Sequence, residues 1–245
     1  MKDLPFAPWP LKEMVVKPIA RRLRAWDKKS SERVNLFLAN SKFISKKIKS
    51  YYGRESTVMH PPVDTDVFYP DPESPRGNYY LMVGRLLYYK RFDLGIQAFN
   101  RLKKPLYVIG SGPEAEKLKA LATSPLITFV PYVTDDELRR LYSGAKALIF
   151  PQVEDFGLVA AEAQACGLPV LAYRGGGAEE IVEERKSGLF FKEQRCESIV
   201  QCVNESEAVR WNRASIAKRA ERFSEKVFKD AFKSVIRSAG YTHFA

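Results

Sequence analysis

The sequence predicts an α/β protein built on a parallel sheet with helices on both faces. Three observations carry this. Beyond Asn78, short apolar runs at 79–83, 106–109, 127–130, 147–150, 170–172 and 189–191 each have the length of a buried strand. Stretches with helical spacing separate them, at 93–102, 114–121, 135–143, 158–166 and 178–184. Strand alternating with helix implies parallel pairing, because parallel neighbours need a crossover, and runs that are apolar throughout imply burial on both faces. Finally, 245 residues with 45% hydrophobic and 28% charged content can bury a proper core without disulfides or metals.

The remaining elements follow in chain order. Residues 1–12, with Pro5, Pro8, Trp9 and Pro10, read as irregular. From 12 to 29, Val15, Val16, Ile19, Leu23 and Trp26 recur at helical spacing, with Arg21, Arg22, Arg24, Lys28 and Lys29 largely on other faces. Pro18 either kinks this helix or marks a later start. A short apolar run at 34–39 reads as a strand, followed by Asn40-Ser41, a basic helix to about Tyr51, and a second short strand at 58–60. Residues 61–77 are rich in proline and acids and read as a linker or long loop. Charged, amphipathic helices fill 197–238. The division expected is a first unit over 1–60, a linker over 61–77, the sheet domain over 78–222 and a C-terminal helix over 223–245.

The net charge of +11 favours anionic partners: nucleoside diphosphates, anionic lipid or nucleic acid. There is no zinc-finger spacing, GxxxxGK[ST] loop or aromatic RNP-like strand, so no nucleic acid is expected. Cys166, Cys196 and Cys202 are an odd, sparse set, which fits a reducing compartment and neither a disulfide framework nor a zinc site. No apolar run reaches the roughly 18–20 residues of a membrane span, and no secretion signal is recognisable. The expectation is a cytoplasmic protein, or one peripheral on the cytoplasmic face of a membrane. The basic helix at 12–29 fits either an anionic membrane or packing against a further domain, and packing is favoured.

In such sheets ligands bind beyond the carboxyl ends of the strands. The loops there hold Gly84-Arg85 through Lys90-Arg91, then Gly110-Ser111-Gly112-Pro113, then Pro131-Tyr132-Val133, then Glu154-Asp155-Phe156-Gly157, then Gly175-Gly176-Gly177. Glycines allow close backbone approach, helix N-termini offer free N–H groups, and Arg85 and Lys90 add positive charge, which together suit a diphosphate. For Gly110 and Gly112 a tight turn is nearly as good a reading. Glu154 sits in the loop ahead of a helix beginning near Gly157, and Glu162 more than a turn into it, so the two could bracket the ends of one ligand. His60 and His243 fall in none of these loops, so no histidine base is expected. Cys166, ahead of Gly167, reads as a small core residue.

At LFLANSKFISKKI, YYGRESTVMHPPVD, GRLLYYKRFDLGIQAF, IGSGPE, LRRLYSGAKALIFP, EDFGLVAAEAQACGLPV and GGGAEEIVEERKSG the chain resembles the retaining glycosyltransferases of family 4, also called group 1. The match covers about 35–191, roughly two-thirds of the chain. It implies the C-terminal, Rossmann-like half of a GT-B fold, with 1–60 as a remnant of the N-terminal acceptor domain. The wording at Tyr89–Asp93 and Glu154–Gly157 is most similar to polysaccharide mannosyltransferases that use GDP-mannose.

By this resemblance Arg85 and Lys90, beside Gly84 and Gly112, would hold the donor diphosphate, and Glu162 would accept hydrogen bonds from the ribose. Glu154 would contact the transferred sugar. Backbone N–H groups of Phe156, Gly157 and Leu158 would lie near sugar and phosphate, and backbone near Tyr132 and Val133 would meet the base. Glu154, Arg85 and Lys90 form the catalytic set. No cofactor and no divalent metal is implied, and Asp64-Thr65-Asp66, which mimics the DxD metal motif of another glycosyltransferase fold, falls in the linker. The acceptor would be a glycan or lipid-linked glycan. Because most of the acceptor domain has no counterpart here, the resemblance also allows a non-catalytic nucleotide-sugar-binding subunit that works with a separate acceptor-domain chain.

Overall fold

A computed structural model describes residues 9–240. Its centre is a six-stranded parallel sheet of β3 (Tyr80–Val83), β4 (Leu106–Ile109), β5 (Ile127–Val130), β6 (Leu148–Phe150), β7 (Val170–Tyr173) and β8 (Gly188–Phe191), in the order β5-β4-β3-β6-β7-β8. The chain moves outward from β3 to β5, then returns to the other side of β3 with β6. The crevice between β3 and β6 is therefore the topological switch point.

Strand side chains alternate between two cores. Tyr80, Met82, Leu106, Val108 and Ile149 face the side of α3 (Phe92–Leu102), α4 (Ala115–Leu121) and α8 (Cys196–Glu207). Leu81, Val83, Leu148, Phe150 and Val170 face α5 (Asp135–Gly144), α6 (Leu158–Ala165) and α7 (Ala178–Ile181). Two-sided burial is why these strands read as unbroken apolar runs. Cys166 is fully buried, and burial pushes its thiol up to about 12, as suits a packing residue.

Ahead of the sheet, α1 (Trp9–Ser30) runs through Pro18, so the helix starts before the proline and includes residues 9–12, where irregular chain was expected; residues 1–8 lie outside the described part. Ile19, Leu23 and Trp26 are exposed along it. The strand expected at 34–39 shrinks to β1 (Leu38–Ala39), paired in parallel with β2 (Thr57–Val58); Val34 and Leu36 are exposed. A strand extends only as far as its ladder partner, and here that partner is two residues long. Between them lies α2 (Lys42–Tyr52), capped by the Ser41 hydroxyl, which accepts from Ile44 N at 3.0 Å, and closed by Gly53 at φ 71°.

Residues 61–77 are held against the sheet domain. Val63 N donates to Phe223 O at 2.7 Å, and Val63 and Phe68 are buried in the core on the α6 side. Asp71 pairs with Arg139 of α5 at 3.1 Å. After α8 come α9 (Arg213–Ala220), a 3-10 turn at Glu221–Phe223 and α10 (Glu225–Ser238). Among the described residues no helix is long and apolar enough to cross a membrane.

One carboxylate fastens the first unit to the second. Glu180 of α7 accepts from Lys42 N at 3.0 Å and Phe43 N at 3.2 Å, two N–H groups at the start of α2, and its Oε2 lies 2.9 Å from His60 Nε2. The His60 ring stacks on Phe156 at 5.4 Å and meets Phe223 edge-on at 5.3 Å. Glu180→Ala should lower stability by about 1–2 kcal/mol, the loss of hydrogen bonds to a charged acceptor from donors that water can partly reach. In hydrogen exchange the amides of Lys42 and Phe43 should lose protection while those of β3 and β6 keep theirs; equal protection in both proteins would refute the fastening.

Candidate active site

The loops that follow the two strands flanking the crevice meet directly. After β3 the chain turns at Gly84 (φ 140°), is anchored by the buried Leu86, and makes a 3-10 turn at Tyr88–Lys90 before α3. After β6 it runs through the buried Pro151 and Gln152 to Glu154. Lys90 Nζ lies 2.7 Å from Glu154 Oε1, with side chains only 13% and 21% exposed. Gln152 Nε2 approaches the same oxygen at 3.4 Å. Opposite charges this close and this sheltered interact far more strongly than a surface pair.

The glycines around this pair have mainly protein neighbours. A Cβ on Gly110 (φ 131°) would overlap Gly84 O, and one on Gly112 would lie 2.5 Å from Leu86 O. These two glycines let the loop after β4 lie flat against the loop after β3, which agrees with the tight-turn reading. Gly176 and Gly177 press on the backbone of Glu154 and Phe156, and Gly177 N donates to Glu154 O at 2.8 Å. The glycine run at 175–177 is thus a buttress under the Glu154 loop.

A cleft of about 580 Å³ opens over this loop, lined by Lys90, Glu154, Phe156, Gly157 and Leu158 on one side and by Asn40 of the first unit and Pro61 of the linker on the other. Gly157 (φ 107°) caps α6, whose first amides have no intrahelical partner and border the cleft. Arg85 is exposed, and its side chain makes no hydrogen bond or ion pair among the described residues. Across the interface Lys47 of α2 reaches Asp155 at 3.4 Å.

Glu162 lies a turn further along α6 in different surroundings. Burial, then the charge of Asp135 at the start of α5, raise its carboxyl to about 7, with the Tyr142 hydroxyl acting the other way. That hydroxyl is fully buried and has no hydrogen bond of good geometry among the described residues. Asp135 follows the loop that carries the exposed Tyr132 and the half-buried Val133. The structure therefore joins Lys90, Glu154, Gly84, Phe156, Gly157 and Leu158 around one loop pair, and places Glu162 under the influence of Asp135 and Tyr142 of α5.

Two residues escaped sequence reasoning. His60 stacks on Phe156 of the Glu154 loop, and Glu180 holds His60. His60 follows a two-residue strand in a proline-rich stretch, and nothing short of the folded contact marks it. Asp64 accepts from Asp66 N and Val67 N, so it closes its own turn, and among the described residues no group of three or more metal-binding side chains converges.

A doubly wound α/β domain with a charged loop pair at its switch point defines the class of open-sheet proteins in which ligands bind beyond the carboxyl ends of the strands. Comparison with known proteins narrows it. The family model described as "Glycosyl transferases group 1" matches residues 69–226, well over half of the chain, and the chain belongs to that family. It is 33% identical over 168 residues to a D-inositol 3-phosphate glycosyltransferase of Mycobacteroides abscessus, an alignment covering 60% of this chain and 38% of the relative. It is 29% identical over 194 residues to a GDP-mannose-dependent alpha-(1-6)-phosphatidylinositol monomannoside mannosyltransferase of Mycolicibacterium smegmatis, covering 67% of this chain and 51% of the relative. The chain thus spans between two-fifths and half of the length of these relatives. Among solved structures, sucrose-phosphate synthase from Thermosynechococcus elongatus superposes with a TM-score of 0.79 at 21% identity, over 88% of this chain and 61% of that one. The lipopolysaccharide outer core galactosyltransferase WaaB superposes with a TM-score of 0.72 at 21% identity, over 84% and 62%. These likenesses carry the fold, which is that of the C-terminal half of a GT-B enzyme.

The raised Glu162 carboxyl makes stability depend on pH in a checkable way. Folded, it keeps its proton up to about 7; unfolded, only to about 4.5. Between these values the folded state binds more protons, so this group's contribution falls as pH rises through that window and is level above it. The size is on the order of 2–3 kcal/mol. Urea unfolding at about pH 5 and about pH 7.5 should show Glu162→Gln losing that part of the slope; an identical slope in both proteins would contradict the assignment.

Proposed function

We propose that this chain is the donor-binding part of a retaining hexosyltransferase, moving mannose from GDP-mannose to a glycan or lipid-linked acceptor. The observation that carries the reading is the Lys90–Glu154 pair at the switch point, with the start of α6 bordering the same cleft and the exposed Arg85 on the same loop as Lys90. A diphosphate entering there competes with Glu154 for the Lys90 ammonium and gains Arg85, which can grip phosphate oxygens in two places. Glu154, released from Lys90, is then free to accept from hydroxyls of the hexose. Backbone N–H groups at Phe156, Gly157 and Leu158 serve sugar and phosphate, Glu162 the ribose, and backbone at Tyr132 and Val133 the base.

Departure of the nucleoside diphosphate leaves positive charge on the sugar and extra negative charge on the leaving phosphate. Arg85, Lys90 and the start of α6 stabilise that negative charge where it develops. This is the work a divalent metal does elsewhere, so none is required. The choice of GDP-mannose rests on the motif wording and on the kinship with the mannosyltransferase named above.

A second reading, a subunit that binds the donor and transfers only with a separate acceptor-domain chain, is favoured by the exposed Ile19, Leu23 and Trp26 of α1, with Leu36 ahead of β1 and Leu38 in it. An apolar stripe at helical spacing is suited to packing against a further unit. The cations of the same helix also suit peripheral contact with an anionic membrane.

Titration calorimetry with GDP-mannose, UDP-glucose and GDP tests the donor site. GDP-mannose should bind, and Arg85→Ala and Lys90→Ala should each weaken it about 10- to 100-fold, the loss expected of one charge-assisted contact. Chelating divalent ions with EDTA should leave the affinity unchanged. No binding of any of the three ligands would end the proposal. Transfer to a glycan acceptor by the purified chain alone would exclude the second reading.

A further inference from the structure

Beside the donor cleft lies a depression of about 570 Å³ that none of the roles above uses, within the usual range of about 300–1,000 Å³ for small-ligand sites. Its walls include Tyr88, Tyr89, Asp93, Glu114, Lys117 and Gln194. Tyr89 and Val153 line both hollows, so the depression continues from the end of the donor cleft that holds Glu154.

Its chemistry differs from that of the donor cleft in two ways. First, aromatic surface is offered to solvent: Tyr88 is 75% exposed and Tyr89 45%, with their rings edge to face at 6.0 Å and 85°. Large aromatic faces left in water are informative where they line a concave surface, because they offer an apolar face beside polar hydroxyls. Second, the charges cancel. Arg91 pairs with Asp93 at 3.2 Å and Lys117 with Glu114 at 3.0 Å. Each ion pair keeps unused lone pairs and N–H groups but offers no net charge to draw in a phosphate. Flat apolar faces with balanced donors and acceptors suit a ligand with C–H faces and many hydroxyls, which is a neutral sugar chain.

We propose that this depression is an acceptor subsite: it holds the sugar units that precede the accepting hydroxyl, stacked on Tyr88 and Tyr89 and hydrogen-bonded to Asp93, Glu114 and Lys117. The proposal rests on the donor reading, since the subsite begins where the transferred hexose would lie. A glycan held there runs into the donor cleft past Tyr89 and Val153.

Saturation-transfer NMR on the full chain with linear mannotriose, maltotriose and cellotriose, with and without GDP, is the test. At least one neutral trisaccharide should receive saturation. Tyr88→Ala should weaken it at least tenfold, while Tyr88→Phe, which keeps the stacking face, restores it. In calorimetry Tyr88→Ala should leave GDP-mannose affinity unchanged, which also shows that the variant is folded. Trisaccharide binding indifferent to Tyr88→Ala, displacement of the trisaccharide by inorganic phosphate, or binding of GDP-mannose with no trisaccharide would each overturn the subsite. Trisaccharide binding that depends on Tyr88 without any GDP-mannose binding would sink the donor reading and uphold the depression as a glycan site.

Discussion

A sheltered ion pair, Lys90 with Glu154, joins the loops that follow the two central strands of the winding. The first half of the sheet is laid down outward from β3 and the second outward from β6, and only the loops after those strands face each other across the crevice. Unpaired, each of these charges would sit largely out of water without compensation. Joined, they keep the site folded in a form that any ligand must enter by substitution. An anion must replace the carboxylate on the ammonium, and a hydroxyl-bearing group must replace the ammonium on the carboxylate. A ligand carrying both, with anion and hydroxyls at the right separation, exchanges one satisfied pair for two satisfied contacts, and a ligand with only one leaves a buried charge behind.

The rest of the domain keeps those loops in register. Glycine backbones at 110 and 112 brace the loop after β3, and those at 176 and 177 brace the loop after β6. The bracing is steric, so it acts whether or not the site is filled. From the other side, Glu180 and His60 tie α2 and the stretch after β2 to Phe156, which makes the Glu154 loop part of the seam between the two units. What approaches Asn40 or Pro61 thus touches the same structure that positions Glu154.

The sheet was legible because burial on both faces writes each strand as an unbroken apolar run, and the structure places every one of the six within about a residue of its run. The first unit was less so. At Val34 and Leu36 the same apolar signal appears without a strand, since sequence shows an appetite for pairing and not the presence of a partner. The site was legible as a set of loops and chemically apt residues, but not as a geometry. Lys90 and Glu154 were foreseen in separate duties, and their mutual contact depends on the return of the chain from β5 to β6, which no local pattern encodes. The glycines show the same limit: Gly112 and Gly177 also let their loops lie against Leu86 and Phe156, contacts that no local pattern shows. Glu180 and His60 lie far apart in the chain, and an isolated glutamate and histidine carry no sign of one another.

The start of the linker at 61–63 and the turn at 221–224 lie side by side, bridged in parallel from Val63 to Ser224. A change that loosens the 221–224 turn would therefore be felt at the start of the linker and, through the Phe223 ring, at His60 and at Phe156 of the Glu154 loop.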